Sequence, residues 1–276
     1  MRFIVGTVAG VKGVYSVEGE SGTRLNVDGD DLMPLIHGAD ADVSGDVVAL
    51  ADITPALPVE NPGKLICLGL NYVDHIKEGG YEIPTYPALF MRGRNSIMAS
   101  GEPMIRPSCS ERLDYEVELM VIIGKGGKHI SEQDALTHVF GYTIFNDGSV
   151  RDYQRKTHQW TPGKNFDATG PIGPVTVTPD ELPAGARGLK IETRVGTEVL
   201  QTANTNDMLW PVDKTIATIS EFATLEPGDM IAMGTPPGVG HARKPPRWLR
   251  PGETVECEIE GIGICASPIV AEEDMS

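Results

Sequence analysis

Cysteine is scarce in this sequence: Cys67, Cys109, Cys257 and Cys265 stand alone among 276 residues, with no CxxC pair. The scatter argues against a disulfide framework or a sulfur-rich zinc site and leaves reduced structural thiols as the expectation. No apolar run approaches the roughly 18 residues needed to cross a membrane, so no membrane partner is expected. The opening MRFIVGTVAGVKG is broken by Gly6, Thr7 and Gly10, too early for the core of a signal peptide. The expected compartment is the cytoplasm. Basic residues are also few, 23 against 39 acidic ones, for a formal net charge of −16. Nucleic-acid binding calls for a basic footprint, so no nucleic-acid partner is expected, and the charge is read as solubility.

What is present is an ordinary globular composition, 40% hydrophobic and 22% charged. The length suits one large domain or a main domain with a small appendage. Short alternating segments such as GVYSVEGE mark residues 1–60 as a small β-rich module, and DITPALPVENPGK reads as a linker. From Leu65 the texture changes to LICLGLNY, a buried strand ending in glycine and asparagine, which opens a second domain over 61–276. Helices are few. SEQDALTHVF carries the capping pair Ser131 and Asp134. PVDKTIATISEFATL spaces Val212, Ile216, Ile219 and Ala223 helically, with Pro211 suited to a first turn. With 32 glycines and 21 prolines marking many connections, the expected class is a β-rich α+β protein.

Two segments alternate glutamates along a strand. In TVECEIEGIG, Glu256, Glu258 and Glu260 oppose Val255, Cys257 and Ile259, the pattern of a half-exposed strand. LDYEVELMVIIG differs. Asp114, Glu116, Glu118 and Met120 share one face, but the strand then turns apolar on both faces. A carboxylate on a strand entering the core is costly unless it is neutralised. A divalent cation is one solution, because hard cations prefer carboxylate oxygens; a solvated strand start is the other. Asp114 is expected at that solvated start, outside the cation's ligands. A third acid stands in GYTIFNDGSVRDYQ, where Asp147 ends a strand before Gly148. Three such oxygens would hold Mg²⁺ or Mn²⁺, whereas zinc favours histidine or cysteine. The ordinary reading of Asp147 by itself is an Asx turn.

In GLNYVDHIKEGG, His75 and Glu78 are three residues apart and touch if Tyr72 to Lys77 forms a helical turn. Such a pair either activates water as a general base or is a surface ion pair. Gly79-Gly80 and YEIPTYPALF follow, as a mobile loop or lid would. HQWTPGKNFDATGPIGP presents Lys164 on a tight turn, where it could meet an anion or stand exposed. AMGTPPGVGH lacks the lysine of a P-loop and is not GxGxxG, which rules out a nucleotide reading. Its backbone donors could hold a carboxylate.

In order, GLNYVDHIKE, LDYEVELMVIIGK, GYTIFNDGSVRDYQ, WTPGKNFDATGPIGP, GTPPGVG and PGETVECEIEGIG resemble the fumarylacetoacetate hydrolase family over roughly residues 62–268. The resemblance implies a mixed β-roll catalytic domain, a homodimer, and a Mg²⁺ or Mn²⁺ site on Glu116, Glu118 and Asp147. It assigns a catalytic dyad to His75 and Glu78 and a catalytic lysine to Lys164. Arg151 and Gln154 match substrate-facing residues, Thr235 matches the one that binds the substrate carboxylate, and Tyr72, Arg92 and Ser96 complete the candidate set. Arg92 departs from a common lysine, and Gly148 stands where a larger residue is frequent.

Three functions compete. The leading one is a metal-dependent hydrolase that cleaves a C–C bond in an acylpyruvate or fumarylpyruvate-like diketo acid, with an enolate as leaving group and a place in aromatic catabolism. The second keeps the cation but performs 2-oxo acid decarboxylation, isomerisation or dehydration, none of which needs attack by water. The third is a β-rich binding protein with a purely structural ion, which would need neither the dyad nor the lysine.

Overall fold

Both faces of the strand Val117–Ile123 are covered, which is why its sequence abandons alternation. In the computed structural model, which describes residues 1–275, this strand lies inside a 13-stranded mixed sheet. It pairs antiparallel with Val139–Asn146 on one side and Met230–Ala232 on the other. Val117, Leu119, Val121 and Ile123 pack with Ile144, Ile191, Ile216, Ile219 and Cys257. Met120 and Ile122 face the opposite way, into Phe3, Val5, Phe145 and Met230. Each fully buried aliphatic side chain of this kind contributes roughly 1.5–3 kcal/mol, so the register is fixed firmly where Glu118 enters it.

The strand expected over 113–123 is interrupted. Leu113–Asp114 pairs separately with Ser149–Val150, and Tyr115 and Glu116 link it to Val117–Ile123. A smaller five-stranded sheet, which includes Glu198–Asn204, Lys190–Val195 and Thr254–Ile259, packs its apolar side against the first core. In Thr254–Ile259 the expected alternation holds, with Val255, Cys257 and Ile259 buried. Glu256 and Glu258 clasp Arg194 on the outer face.

The N-terminal segments form an antiparallel meander of Arg2–Val8, Val11–Glu18, Ser21–Leu25 and Val43–Ala49. Arg2–Val8 pairs with Val175–Val177, so the meander extends the large sheet. Thr54–Pro55 pairs with Arg2–Val8 as well, which places part of the linker segment in the sheet.

Val212–Phe222 forms the expected amphipathic helix, with Val212, Ile216 and Ile219 buried. Pro211 precedes the helix in extended conformation, and Ala223 falls just past its end. Ser131 caps the single turn Glu132–Ala135 by accepting from the Asp134 amide. All four cysteines are free. Among the described residues no helix is long and apolar enough to cross a membrane.

Candidate active site

The three acids meet because two neighbouring strands deliver them. The Glu116 amide donates to Asn146 Oδ1 (2.9 Å), and the Asp147 amide donates to the Glu116 carbonyl (2.8 Å). Glu118 lies opposite Phe145 in the ladder. Carboxylate oxygens of Glu116, Glu118 and Asp147 therefore lie within 4.8 Å of one another, all buried.

Cations surround two of the three. Lys164 Nζ donates to Glu116 Oε2 (2.7 Å) and Asp147 Oδ2 (2.5 Å). Arg92 Nη1 donates to Asp147 Oδ1 (2.6 Å), and Arg151 Nη2 lies 2.6 Å from Glu116 Oε1. Among the described residues Glu118 has only a backbone partner, the Gly234 amide at 2.8 Å. The electrostatics differ accordingly. Burial raises the Glu116 carboxyl, but Lys164 and Arg151 outweigh it and hold it well below the usual range. Burial, followed by the Asp147 and Glu116 charges, pushes the Glu118 carboxyl well above that range. Burial opposes the Lys164 charge, yet Asp147 and Glu116 keep its value raised, so it stays an ammonium.

Four buried carboxylates, counting Asp114, thus face three buried cations, Arg92, Arg151 and Lys164. The excess carboxylate is Glu118. A donor set of three hard oxygens with one uncompensated charge fits a divalent cation.

Asp114 contradicts its expected place at a solvated strand start. It is fully buried, and it accepts from Arg151 Nε (2.7 Å), from the Gly240 amide (2.8 Å) and from the His241 amide (3.0 Å). The break at Tyr115 and Glu116 turns it away from solvent, which face alternation could not foresee. It stays outside the three-acid group, on the far side of Arg151.

The GTPPGVGH loop does hold carboxylates, but they are the protein's own. Gly234 serves Glu118, Gly238 serves Glu78 (3.1 Å to each oxygen), and Gly240 and His241 serve Asp114. Gly234 adopts φ +83°, and a Cβ there would stand 2.8 Å from Asn71 Cβ, so this approach requires glycine.

A single pocket gathers most of the candidates. His75, Glu116, Glu118, Asp147, Arg151, Gln154, Lys164 and Thr235 all line it. His75 and Glu78 share the helix Val73–Glu78, with Nδ1 3.4 Å from Glu78 Oε2. Gln154 Oε1 accepts from Arg151 Nη1 (2.9 Å), which leaves its NH₂ donors free. The short helix Thr161–Lys164 can pack here because Gly163 has no side chain; a Cβ would lie 2.3 Å from the Gln154 amide nitrogen.

Glu78 touches His75 without lining the pocket, and three further candidates lie elsewhere. Arg92 sits behind the acids, fully engaged by Asp147, Gly148, Ser96 and Thr169. Ser96 is buried beneath it and accepts from its Nε (3.1 Å). Tyr72 belongs to the main core and borders a separate depression with Val73, Asp74 and Asp207.

Residues not singled out from the sequence complete the pocket wall, among them Trp160, Arg155 and His241. Trp160 packs edge-on to Phe90 and lies so close to Gly69 that a Cβ there would meet its ring at 2.1 Å. His241 had one readable signal, its position directly after the glycine loop.

Residues 64–270 match the family described as fumarylacetoacetate (FAA) hydrolase C-terminal. The human mitochondrial oxaloacetate tautomerase FAHD2A is 45% identical over 226 residues, 81% of this chain and 72% of that protein. Among solved structures, a fumarylacetoacetate hydrolase from psychrophilic Exiguobacterium antarcticum superposes with a TM-score of 0.88 at 35% identity, covering 99% of this chain and all of that one. A 5-carboxymethyl-2-hydroxymuconate delta-isomerase from Mycobacterium smegmatis gives 0.83 at 29% identity, with coverage of 99% and 100%.

Proposed function

The chain belongs to the fumarylacetoacetate hydrolase family, and from that premise we propose that it interconverts keto and enol forms of a small 2-oxo dicarboxylate such as oxaloacetate. One observation carries the reading: an imidazole, His75, and a fixed ammonium, Lys164, line the same pocket as three clustered carboxylates. Tautomerisation needs one group to take a proton from carbon and one to meet the charge on oxygen. The name of the human relative supports the substrate class.

Glu116, Glu118 and Asp147 would hold a Mg²⁺ or Mn²⁺ ion, which when bound supplies a Lewis acid for the 2-oxo oxygen. With His75 Nδ1 turned to Glu78, Nε2 is the nitrogen left to take the C3 proton and return it. Lys164 Nζ, held charged by Glu116 and Asp147, donates toward the oxygen that gains charge. Gln154 Nε2 and the Thr235 hydroxyl orient the carboxylates. Trp160 and Phe90 wall off water. Arg92 and Ser96 hold Asp147 in place rather than touching substrate.

A second reading, C–C bond hydrolysis of an acylpyruvate, is favoured by the His75–Glu78 contact, since an oriented imidazole can equally take a proton from water. A homodimer belongs to the same family-based proposal. The deciding assay follows the enol absorbance of oxaloacetate with Mn²⁺, beside product formation from a panel of acylpyruvates. Faster decay of the enol band by the wild type, lost in His75→Asn, supports tautomerisation. Decay no faster than in buffer refutes it, and acylpyruvate cleavage abolished by Glu78→Gln would establish the second reading instead.

A further inference from the structure

With the glycine-loop amides of Gly234, Gly238, Gly240 and His241 spent on the protein's own carboxylates, the Thr235 hydroxyl is a side-chain donor that this loop can offer a ligand. Its proton is directed from behind. Gln201, on the strand Glu198–Asn204 of the smaller sheet, is 1% exposed and makes four hydrogen bonds. Its Oε1 accepts from the Val117 amide (3.1 Å) and the Thr193 hydroxyl (2.8 Å). Its Nε2 donates to the Pro236 carbonyl (2.8 Å) and to Thr235 Oγ1 (2.9 Å).

The amide cannot be turned round. A backbone N–H only donates and a backbone carbonyl only accepts, so Val117 and Pro236 fix which end of Gln201 carries nitrogen. Thr235 Oγ1 is therefore an acceptor from Gln201, and its own proton must leave in another direction. No acceptor among the described residues takes that proton, while Thr235 lines the pocket beside Glu118 and Lys164.

We propose that Gln201 is a positioning residue that aims the Thr235 hydroxyl proton into the pocket, so that this wall selects a hydrogen-bond acceptor, a carboxylate oxygen, over a donor such as an amide NH₂. A ligand donor placed there would face a donor and leave a buried group unpaired, which is the costly mismatch. The inference rests on the reading of a carboxylate-bearing 2-oxo acid as substrate and names the residue pair that recognises it.

The test is calorimetric titration of the Mn²⁺-loaded protein with oxalate and with oxamate, which carries an amide in place of one carboxylate. The wild type should prefer oxalate. Gln201→Glu, an acceptor that draws the Thr235 proton to itself, should cut the oxalate-to-oxamate affinity ratio about tenfold, the scale of one hydrogen bond to a charged group. In a Thr235→Val background the same substitution should leave the ratio unmoved. An equal shift in both backgrounds would mean bulk charge and would overturn the proposal. Gln201→Met, which adds no charge and frees the hydroxyl to rotate, should narrow the ratio too, and it decides the matter if Gln201→Glu does not fold. A wild-type ratio in the variants, or a wild type that binds neither probe, also refutes it. Absence of tautomerase activity would leave these ratios untouched, so the two readings fail separately.

Discussion

Arg151 Nε donates to Asp114 Oδ2 at 2.7 Å where neither side chain meets appreciable solvent. Through its other nitrogens the same guanidinium reaches Glu116 and Gln154, so Asp114 orients the arginine that borders the pocket.

Asp114→Asn should therefore destabilise the protein strongly, since breaking a buried ion pair costs about 3–5 kcal/mol. The pH dependence has a definite sign. Burial raises the Asp114 carboxyl, but the Arg151 charge and the hydrogen bonds from His241 and Arg151 leave it below the ordinary value. The stability it supplies is complete above the ordinary aspartate value near 3.9 and is lost as pH falls through the lowered folded value. Urea melts of both proteins across the acid range check this; an equal acid slope in the asparagine variant would contradict it.

Glu118 should behave in the opposite sense. Its carboxyl is pushed up by burial and by Asp147 and Glu116, so the folded metal-free protein binds a proton that the unfolded chain releases near pH 4.3. Through this group, metal-free stability falls as pH rises from there toward the raised value. Mn²⁺ displaces that proton, so its affinity rises with pH over the same window. Glu118→Gln should abolish Mn²⁺ binding and remove the slope, as calorimetry and thermal melts would show.

Lys164→Met should separate ion binding from turnover. Removing the ammonium takes a competing positive charge from Glu116 and Asp147, so Mn²⁺ affinity should hold or rise. Turnover should drop about 100-fold, as when one donor to a developing oxyanion is lost. Loss of Mn²⁺ binding in this variant would show that the lysine builds the acid cluster instead of serving the reaction.

Gly148→Ala should be poorly tolerated. A Cβ there would stand 2.0 Å from the Thr169 carbonyl oxygen and 2.2 Å from Met104 Cε. The carbonyl is backbone and cannot yield, so about 1–3 kcal/mol of stability should go, along with the Arg92 contact to the Gly148 carbonyl (3.1 Å). A melting temperature equal to that of the wild type would refute the clash.

Much of the site was legible because its chemistry is carried by residue type and local spacing. His75 and Glu78 are three apart on one helical turn, and the apolar continuation after Glu118 announced a strand covered on both faces. Arg92 was legible as a charge but not as a partner: 55 residues separate it from Asp147, and only the fold brings them to 2.6 Å. Asp114 was misread because alternation assumes an unbroken strand.

The sequence alone determined the strand and helix periodicities and the acidic triplet, because these follow from backbone sterics and side-chain chemistry within a few residues. The tertiary structure decided which carboxylates are neutralised, where the loop amides point and how Gln201 orients Thr235. Those are consequences of burial and of contacts between distant strands, where a missing partner costs far more than any local preference can repay.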